Sequence, residues 1–414
     1  MGNYQITQVK ARKIFDSRGK EAIEIDLIAS NVLGRSSSPS GASTGRWEVK
    51  SYPQGGVKEA IRFVEDIVSP KIVGMELDVK QIDQTLHEMD KSANFERLGG
   101  NTAYAISLAA ARAGANSRGV PLFSYLSEFN QSDIPYPLGN VIGGGMHARG
   151  GKTDVQEFLV LPTKSETFVE AAEANIRVHG QVANILEKKR VDFSGRGDEG
   201  AWVVPLETEQ ALEILSEACS QVSDETGVKL KIGVDMAAST LWDEQENVYV
   251  YQRDKRKIHE SDQIDFVVEL ANKFHLGYIE DPVHEESFEG FSEITTKTSN
   301  TLICGDDLFT TNVERIKKGI KENAGNAVII KPNQIGTLTD ATEAAKISKQ
   351  ANYILVVSHR SGESCGSEIS HLAVALAAPI IKLGVIGGER MAKINELIRI
   401  EEIIGKAKMA KIRI

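Results

Sequence analysis

The sequence predicts an α/β fold: a TIM-like barrel preceded by a smaller α+β domain that caps it. Two observations carry the barrel. Short apolar runs each end in a polar or charged residue. Gly233-Val234 ends in Asp235, Tyr278-Ile279 in Glu280-Asp281, and Leu302-Ile303-Cys304 in Gly305-Asp306-Asp307. Further on, Ile354-Leu355-Val356-Val357 ends in Ser358-His359-Arg360, and Ile380-Ile381 in Lys382. These endings recur after 26 residues (280 to 306), 25 (306 to 331), 28 (331 to 359) and 23 (359 to 382). A strand, a helix and two short loops fill such a period. Parallel strands with polar C-terminal ends describe a barrel whose chemistry sits on that face.

The run Ala327-Val328-Ile329-Ile330-Lys331-Pro332 is the clearest of the set. Four apolar residues, three of them β-branched, suit a buried parallel strand, and the proline argues against its continuing. Lysine is rarely buried without a partner, so its place needs a reason. A single such lysine also fits a snorkelling surface residue. Six strands ending alike favour a site.

The chain of 414 residues is long enough for two domains, and 41% hydrophobic residues can bury a large core. No apolar run reaches the roughly 18 residues of a membrane span. Met1-Gly2-Asn3-Tyr4-Gln5 lacks the charged start and apolar core of a signal peptide, which favours a cytoplasmic location. The three cysteines, Cys219, Cys304 and Cys365, show neither disulfide nor zinc spacing. A formal charge of −10 argues against nucleic acid as the main partner.

In chain order, residues 4–11 and 22–29 alternate as strands, and Ser30-Asn31 reads as a turn. The stretch Ser36–Gly45, rich in serine and glycine, is either a flexible surface loop or a mobile lid that supplies hydroxyl and carbonyl oxygens. Helical patterns follow at 57–68, 79–90 and 101–118. Asn101 or Thr102 is the expected cap of the last, and Gly119 its end. Residues 128–137, polar with two prolines, read as a linker. Residues 1–130 then form the N-terminal domain with its lid, and 138–414 the catalytic barrel. The glycine-rich run Asn140–Gly151 could cradle phosphate, a weak signal alone. Asp154–Pro162 is expected as the first barrel strand. Helices are expected at 167–189 and 208–226. Between them Gly195–Trp202 sets two carboxylates, Asp198 and Glu199, beside a large aromatic.

Asp235, Glu280 and Asp306 come from three successive strand ends. Three converging carboxylates repel one another unless a cation joins them, and hard oxygen ligands suit Mg²⁺. A solvated trio at the barrel rim is the alternative. Lys331 and Lys382 lie further along, and a neighbouring cation lowers a lysine's pKa toward that of a general base.

With these residues in view, the chain resembles the enolase family. The likeness runs from Ala11-Arg12-Lys13-Ile14-Phe15-Asp16-Ser17-Arg18-Gly19 to Arg399-Ile400-Glu401-Glu402. It includes Ser40–Gly45, Gln156-Glu157-Phe158, Gly197–Gly200, Ile279–Pro282, Gly305–Leu308, Lys331–Gly336 and Ser358–Glu363. A lysine base beside Mg²⁺ is the established pattern of enolase-superfamily sites and not a deduction from this chain.

The resemblance implies an enolase-type barrel and a lyase: Mg²⁺-dependent, reversible dehydration of 2-phosphoglycerate to phosphoenolpyruvate in glycolysis and gluconeogenesis. It implies that Lys331 removes the C2 proton, assisted by Lys382, and that Glu199 protonates the departing hydroxide, supported by Glu157. One Mg²⁺ is implied on Asp235, Glu280 and Asp306, and a second, arriving with substrate, on Ser43. Arg360 and Ser361 are implied for the phosphate, Gln156 for substrate contact, and His147 and His359 for the closed pocket. For either histidine alone, a hydrogen-bonded structural role is the alternative. A homodimer is implied, with some relatives assembling to octamers.

The chain departs from the family pattern at Lys20-Glu21, in the length of His147–Gln156, at Ser364–Glu368 with His371, and in the shortened Gly387-Gly388 stretch. Three rival readings stand beside the resemblance. Another superfamily enzyme would keep the carboxylates and a lysine, but would not be expected to keep the lid, Glu199 and Arg360-Ser361 together. A Schiff-base aldolase would use Lys331 as nucleophile. A non-catalytic paralogue would bind without turnover.

Overall fold

A computed structural model describes residues 4–42, 44–127, 133–193 and 195–412. The N-terminal domain opens with an antiparallel sheet of β1 (Ile6–Phe15), β2 (Glu21–Ala29) and β3 (Val32–Ser37) in that order. The third strand takes Ser36 and Ser37 out of the expected loop. They pair with Ile25 and Glu24, so the ladder with β2 outweighs the weak strand preference of serine.

Helices follow at Gly56–Phe63, continuing through a π-turn to Ile72, and at Val79–Asp90 and Gly100–Arg118. The last starts one residue early. Gly99, not Asn101 or Thr102, is its N-cap. The Asn101 side chain instead accepts a hydrogen bond from Asn333 in the barrel. This helix is buried on nearly every side because it lies between sheet and barrel. Asn116 donates to Leu33 of β3, and Ser107 accepts from Leu338 at the start of a barrel helix. Gly119 ends it in the left-handed conformation (φ 62°), as expected.

The barrel consists of β4 (Tyr136–Gly143), β5 (Glu157–Thr163), β6 (Lys229–Asp235), β7 (Tyr278–Glu280), β8 (Leu302–Gly305), β9 (Ala327–Ile330), β10 (Ile354–Ser358) and β11 (Ile380–Gly384). The sheet closes in the order β7-β8-β9-β10-β11-β4-β5-β6. Two expectations change here. The first barrel strand is β4, which begins within the stretch expected as linker and absorbs Asn140–Gly143 of the glycine-rich run. And β5 runs antiparallel to both of its neighbours.

The connection 144–156 explains the reversal. It holds one 3-10 turn, Gly145–His147, and no helix that could carry the chain back for a parallel crossover. Two helices, Phe168–Lys188 and Thr208–Thr226, then join β5 to β6. A strand running down, one helix up and one helix down return the chain for β6 to run up. The segment between the two helices therefore lies at the barrel mouth.

Period-two alternation divides each strand between two cores. Outward residues such as Val160, Val234, Ile279, Ile303, Val328, Val357 and Ile381 pack beneath the helices. Leu138, Leu159, Tyr278, Cys304, Ile329, Val356 and Ile380 fill the interior. Among the described residues, no helix is long and apolar enough to cross a membrane.

Candidate active site

The inward positions continue past the apolar interior into the site. One step of two residues beyond Leu138, Tyr278, Cys304, Ile329, Val356 and Ile380 stand Asn140, Glu280, Asp306, Lys331, Ser358 and Lys382. On β5 the step runs backwards, from Leu159 to Glu157, because that strand is reversed. The register places Glu157 opposite Asp235, and Asp235 beside Glu280. The polar strand ends are thus the top layer of the barrel core.

This layer is buried except for part-buried Lys331, and all of it but Asn140 and Ser358 is ionisable. Lys382 Nζ lies 2.8 Å from Glu280 Oε2, 2.9 Å from Asp235 Oδ2 and 3.0 Å from Glu157 Oε2. Lys331 Nζ pairs with Asp306 Oδ2, whose other oxygen accepts from Gln334 at 2.9 Å. The expected trio Asp235, Glu280 and Asp306 shares one mouth, but its oxygens are divided between the two lysines. Among the described residues, the acidic groups whose ligand atoms lie within 4.8 Å of one another are His147 with Glu157 and Glu199, and Asp281 with Asp306 and Asp307.

Several features fit a hard divalent cation. Glu280 Oε1 is buried with no hydrogen-bond partner. Burial, reinforced by the neighbouring Asp235, holds the Glu280 carboxyl well above its ordinary range. Burial and neighbouring aspartates do the same to Asp281 and Asp307. A cation would relieve all three.

One expectation reverses. Burial, then Arg360 and Lys382, do push the Lys331 pKa down, but the surrounding carboxylates, Asp306 first and then Glu280, together leave the net direction up. The expected depression therefore requires Asp306 to be engaged elsewhere.

On the far side of the mouth lies Glu199. Its loop is pinned where Trp202 pairs with β4: Trp202 donates its backbone N–H to Val141, and Gly143 donates to Trp202. A bulge interrupts the β4–β5 register between Asn140 and Ile142. The indole of Trp202 donates to the His179 carbonyl and stacks on that ring, so the aromatic beside the two carboxylates anchors the loop. Glu199 Oε2 accepts from Asn140 at 3.1 Å and faces His359 Nε2 at 3.1 Å. His147 Nδ1 stands 3.2 Å from Glu157 Oε1 and 3.7 Å from Glu199 Oε1. Burial raises both carboxyls. For Glu157, the nearby Glu199 adds to this and its pKa ends up raised. For Glu199, His359 and His147 outweigh burial and hold it well below the ordinary range. Gly384 permits the close approach: a Cβ there would stand 2.2 Å from the Glu199 carbonyl oxygen.

Arg360 Nη2 donates to both carboxylate oxygens of Glu48, at 3.0 and 3.1 Å, and Nη1 donates to Asn333 at 3.1 Å. Ser361 Oγ accepts from Arg18 at 3.3 Å, and Arg18 also holds Ser40 and Gly41 at the base of the expected lid. Gln156 donates weakly to Asp235 at 3.4 Å. Ser43 lies outside the described residues. Every other expected site residue except Glu280 lines one cavity of about 20 Å³, room for a water. Glu280 is fully buried and reaches that cavity only through its contact with Lys382.

Reading the sequence did not single out Glu48, Arg18, Asn140, Gln334 or Arg390 for the site. Arg18 and Gln334 fall inside quoted motifs. Asn140 opens the glycine-rich run but is not read there as a partner of Glu199, and Glu48 and Arg390 carry no signal of their own, because their partners are distant in sequence.

Two family models match: "Enolase, N-terminal domain" over residues 6–126 and "Enolase, C-terminal TIM barrel domain" over residues 131–412. The chain is 50% identical over 408 residues to the enolase of Methanosphaera stadtmanae, covering 98% of this chain and 99% of that one. It is 48% identical to the enolase of Methanothermobacter thermautotrophicus, covering 98% of each chain. It is also 48% identical to that of Archaeoglobus fulgidus, covering 98% of this chain and all of that one. With both models matched and likeness at this level across nearly its whole length, the chain belongs to the enolase family.

Proposed function

We infer that the chain catalyses the reversible dehydration of 2-phosphoglycerate to phosphoenolpyruvate, a glycolytic carbon–oxygen lyase reaction. The observation that carries this reading is the shared mouth. A lysine and a carboxylic acid, Lys331 and Glu199, line one cavity with an arginine–serine pair, Arg360 and Ser361. That nearness supports reading them as base, acid and phosphate ligands for one small substrate.

Lys331 is the base at C2, with Lys382 adding positive charge beside the substrate carboxylate. Asp235, Glu280 and Asp306 would hold Mg²⁺, and Ser43 a second ion that arrives with substrate. Bound there, Mg²⁺ supplies Lewis-acid stabilisation of the charge that builds on the carboxylate as C2 is deprotonated. Glu199 is the acid at the C3 hydroxyl. It is anionic in the ligand-free site, and a bound phosphorylated acid raises its pKa by like charge. Glu157 supports it through His147. Arg360 exchanges Glu48 for the substrate phosphate, which its planar fork matches. Gln156 and His359 line the substrate. A cytoplasmic homodimer completes the reading, and sedimentation at micromolar concentration tests its assembly.

The direct test is a continuous assay of phosphoenolpyruvate absorbance with 2-phosphoglycerate and Mg²⁺. Turnover that responds to both is expected. No turnover by folded, Mg²⁺-loaded protein would leave a non-catalytic relative. Borohydride trapping of substrate on Lys331 would instead indicate the Schiff-base reading.

A further inference from the structure

Arg390, near the start of the helix Gly388–Ile404, is the largest fully buried side chain among the described residues. Its guanidinium spends both terminal nitrogens on the active site. Nη1 lies 2.8 Å from His359 Nδ1 and donates to the Arg360 carbonyl at 2.7 Å. Nη2 donates to the carbonyls of Asp198 at 3.0 Å and Ser361 at 2.6 Å. Its nearest anion, Glu389, is reached only through Nε at 3.3 Å. One buried cation therefore grips the residue before Glu199, the two residues of the expected phosphate loop and the ring between them.

Arginine has no acceptor, so His359 Nδ1 must present its lone pair to Nη1. The Gly384 N–H also points at Nδ1, at 3.4 Å. A neutral imidazole that accepts at Nδ1 carries its proton on Nε2. That nitrogen faces Glu199 Oε2 at 3.1 Å. Burial, with a further push from Arg390, holds His359 down to about 4, so the neutral ring is the form present near neutrality. The other charged groups acting on the ring are Glu199 from the mouth loop and Glu363 from the loop after β10.

We propose that Arg390 is a positioning residue for proton donation: it fixes His359 as the Nε2–H tautomer and clamps the backbone beside Glu199 and Arg360, which aims the Glu199 carboxyl at the leaving hydroxyl. This deepens the lyase reading above and rests on it. Arg390 touches no substrate atom. Lysine cannot replace it, because one ammonium cannot span four acceptors on two separate loops. Deprotonation at C2 depends on Lys331, three strands round the barrel from the β4 bulge, so loss of Arg390 should separate the two proton transfers.

The test uses Mg²⁺-loaded full-length enzyme with 2-phosphoglycerate. In ¹⁵N-histidine-labelled wild type, with the His359 signals assigned by their loss in His359→Gln, Nδ1 is expected unprotonated and Nε2 protonated at neutral pH. A Nδ1–H tautomer or a cationic ring would overturn the proposal without any variant. In Arg390→Lys and Arg390→Met, dehydration is expected to fall on the order of 10²-fold, the lower end of a general acid's contribution. Exchange of the C2 proton with heavy water should continue near the wild-type rate. Exchange and dehydration falling together, or neither falling, would overturn it. If Arg390→Met does not fold, Arg390→Lys and the wild-type tautomer still decide. Failure of wild type to turn over 2-phosphoglycerate would reject the lyase reading instead, and the tautomer would still judge the role of Arg390.

Discussion

Lys382 Nζ, which lines the cavity shared by the site residues, stands 2.8 Å from Oε2 of Glu280, which does not line it. The same ammonium reaches Asp235, so a lysine occupies the ground between two expected metal ligands. Their negative charge is therefore already partly balanced, and the divalent cation proposed there would have to displace this ammonium.

The first prediction concerns that cation. Chelator should abolish turnover and Mg²⁺ restore it. Glu280→Gln should weaken Mg²⁺ by about tenfold or more, because a neutral amide replaces a buried anionic oxygen. Calorimetry with and without substrate measures it. Unchanged affinity would remove Glu280 from the ligand set.

The second concerns the two proton transfers. Lys331→Ala should abolish dehydration and C2 exchange alike. Glu199→Gln should cost on the order of 10²–10⁴ in dehydration while exchange persists. NMR of the C2 proton in heavy water reads both. Persistent exchange in Lys331→Ala would show that another group is the base.

The third concerns the approach of β11 to the Glu199 loop. Gly384→Ala puts a methyl 2.2 Å from the Glu199 carbonyl oxygen. That oxygen is backbone and must shift. Dehydration should fall at least as far as in a conservative acid variant, on the order of 10²-fold, while Mg²⁺ affinity is retained. Normal turnover in this variant would mean that the loop tolerates displacement.

The fourth concerns pH and the contact between the domains. Asp83, on the helix Val79–Asp90, accepts from the backbone and hydroxyl of Thr339 in a barrel helix. Burial raises its pKa from 3.8 to about 6, against hydrogen bonds that pull it down. The folded state then holds the proton more tightly than the unfolded one. Asp83's contribution is greatest below about pH 4 and is lost as pH rises through about 6, a fall on the order of 3 kcal/mol. Asp83→Asn should flatten that segment of the stability curve. Urea titrations at pH 4.5 and 7 compare the two. A parallel pH profile in the variant would exclude Asp83 as its source.

Much of the site was legible because strand chemistry is local. The helix Thr208–Thr226 and the strand Lys229–Asp235 lie where their periodicities place them, since each has a clear apolar face and a glycine or polar end. The reversal of β5 was not legible, because Gln156-Glu157 followed by an apolar run looks the same for either direction. What decides is the shortness of 144–156, and that matters only once β4 is known to be a strand. The Ser36-Ser37 extension of β3 was hidden for a similar reason: a partner strand, not serine, makes it.

By itself the sequence determined the repeat of strand ends, the acidic and lysine residues placed there, and through its motifs the enolase family. Those depend on residues near one another in the chain. Tertiary structure alone decided that Glu48 holds Arg360, that Lys382 lies between Asp235 and Glu280, and that Arg390 sets the ring of His359. Each pairs groups from separate elements, and barrel closure brings them into a buried layer where an unpaired charge is too costly to leave.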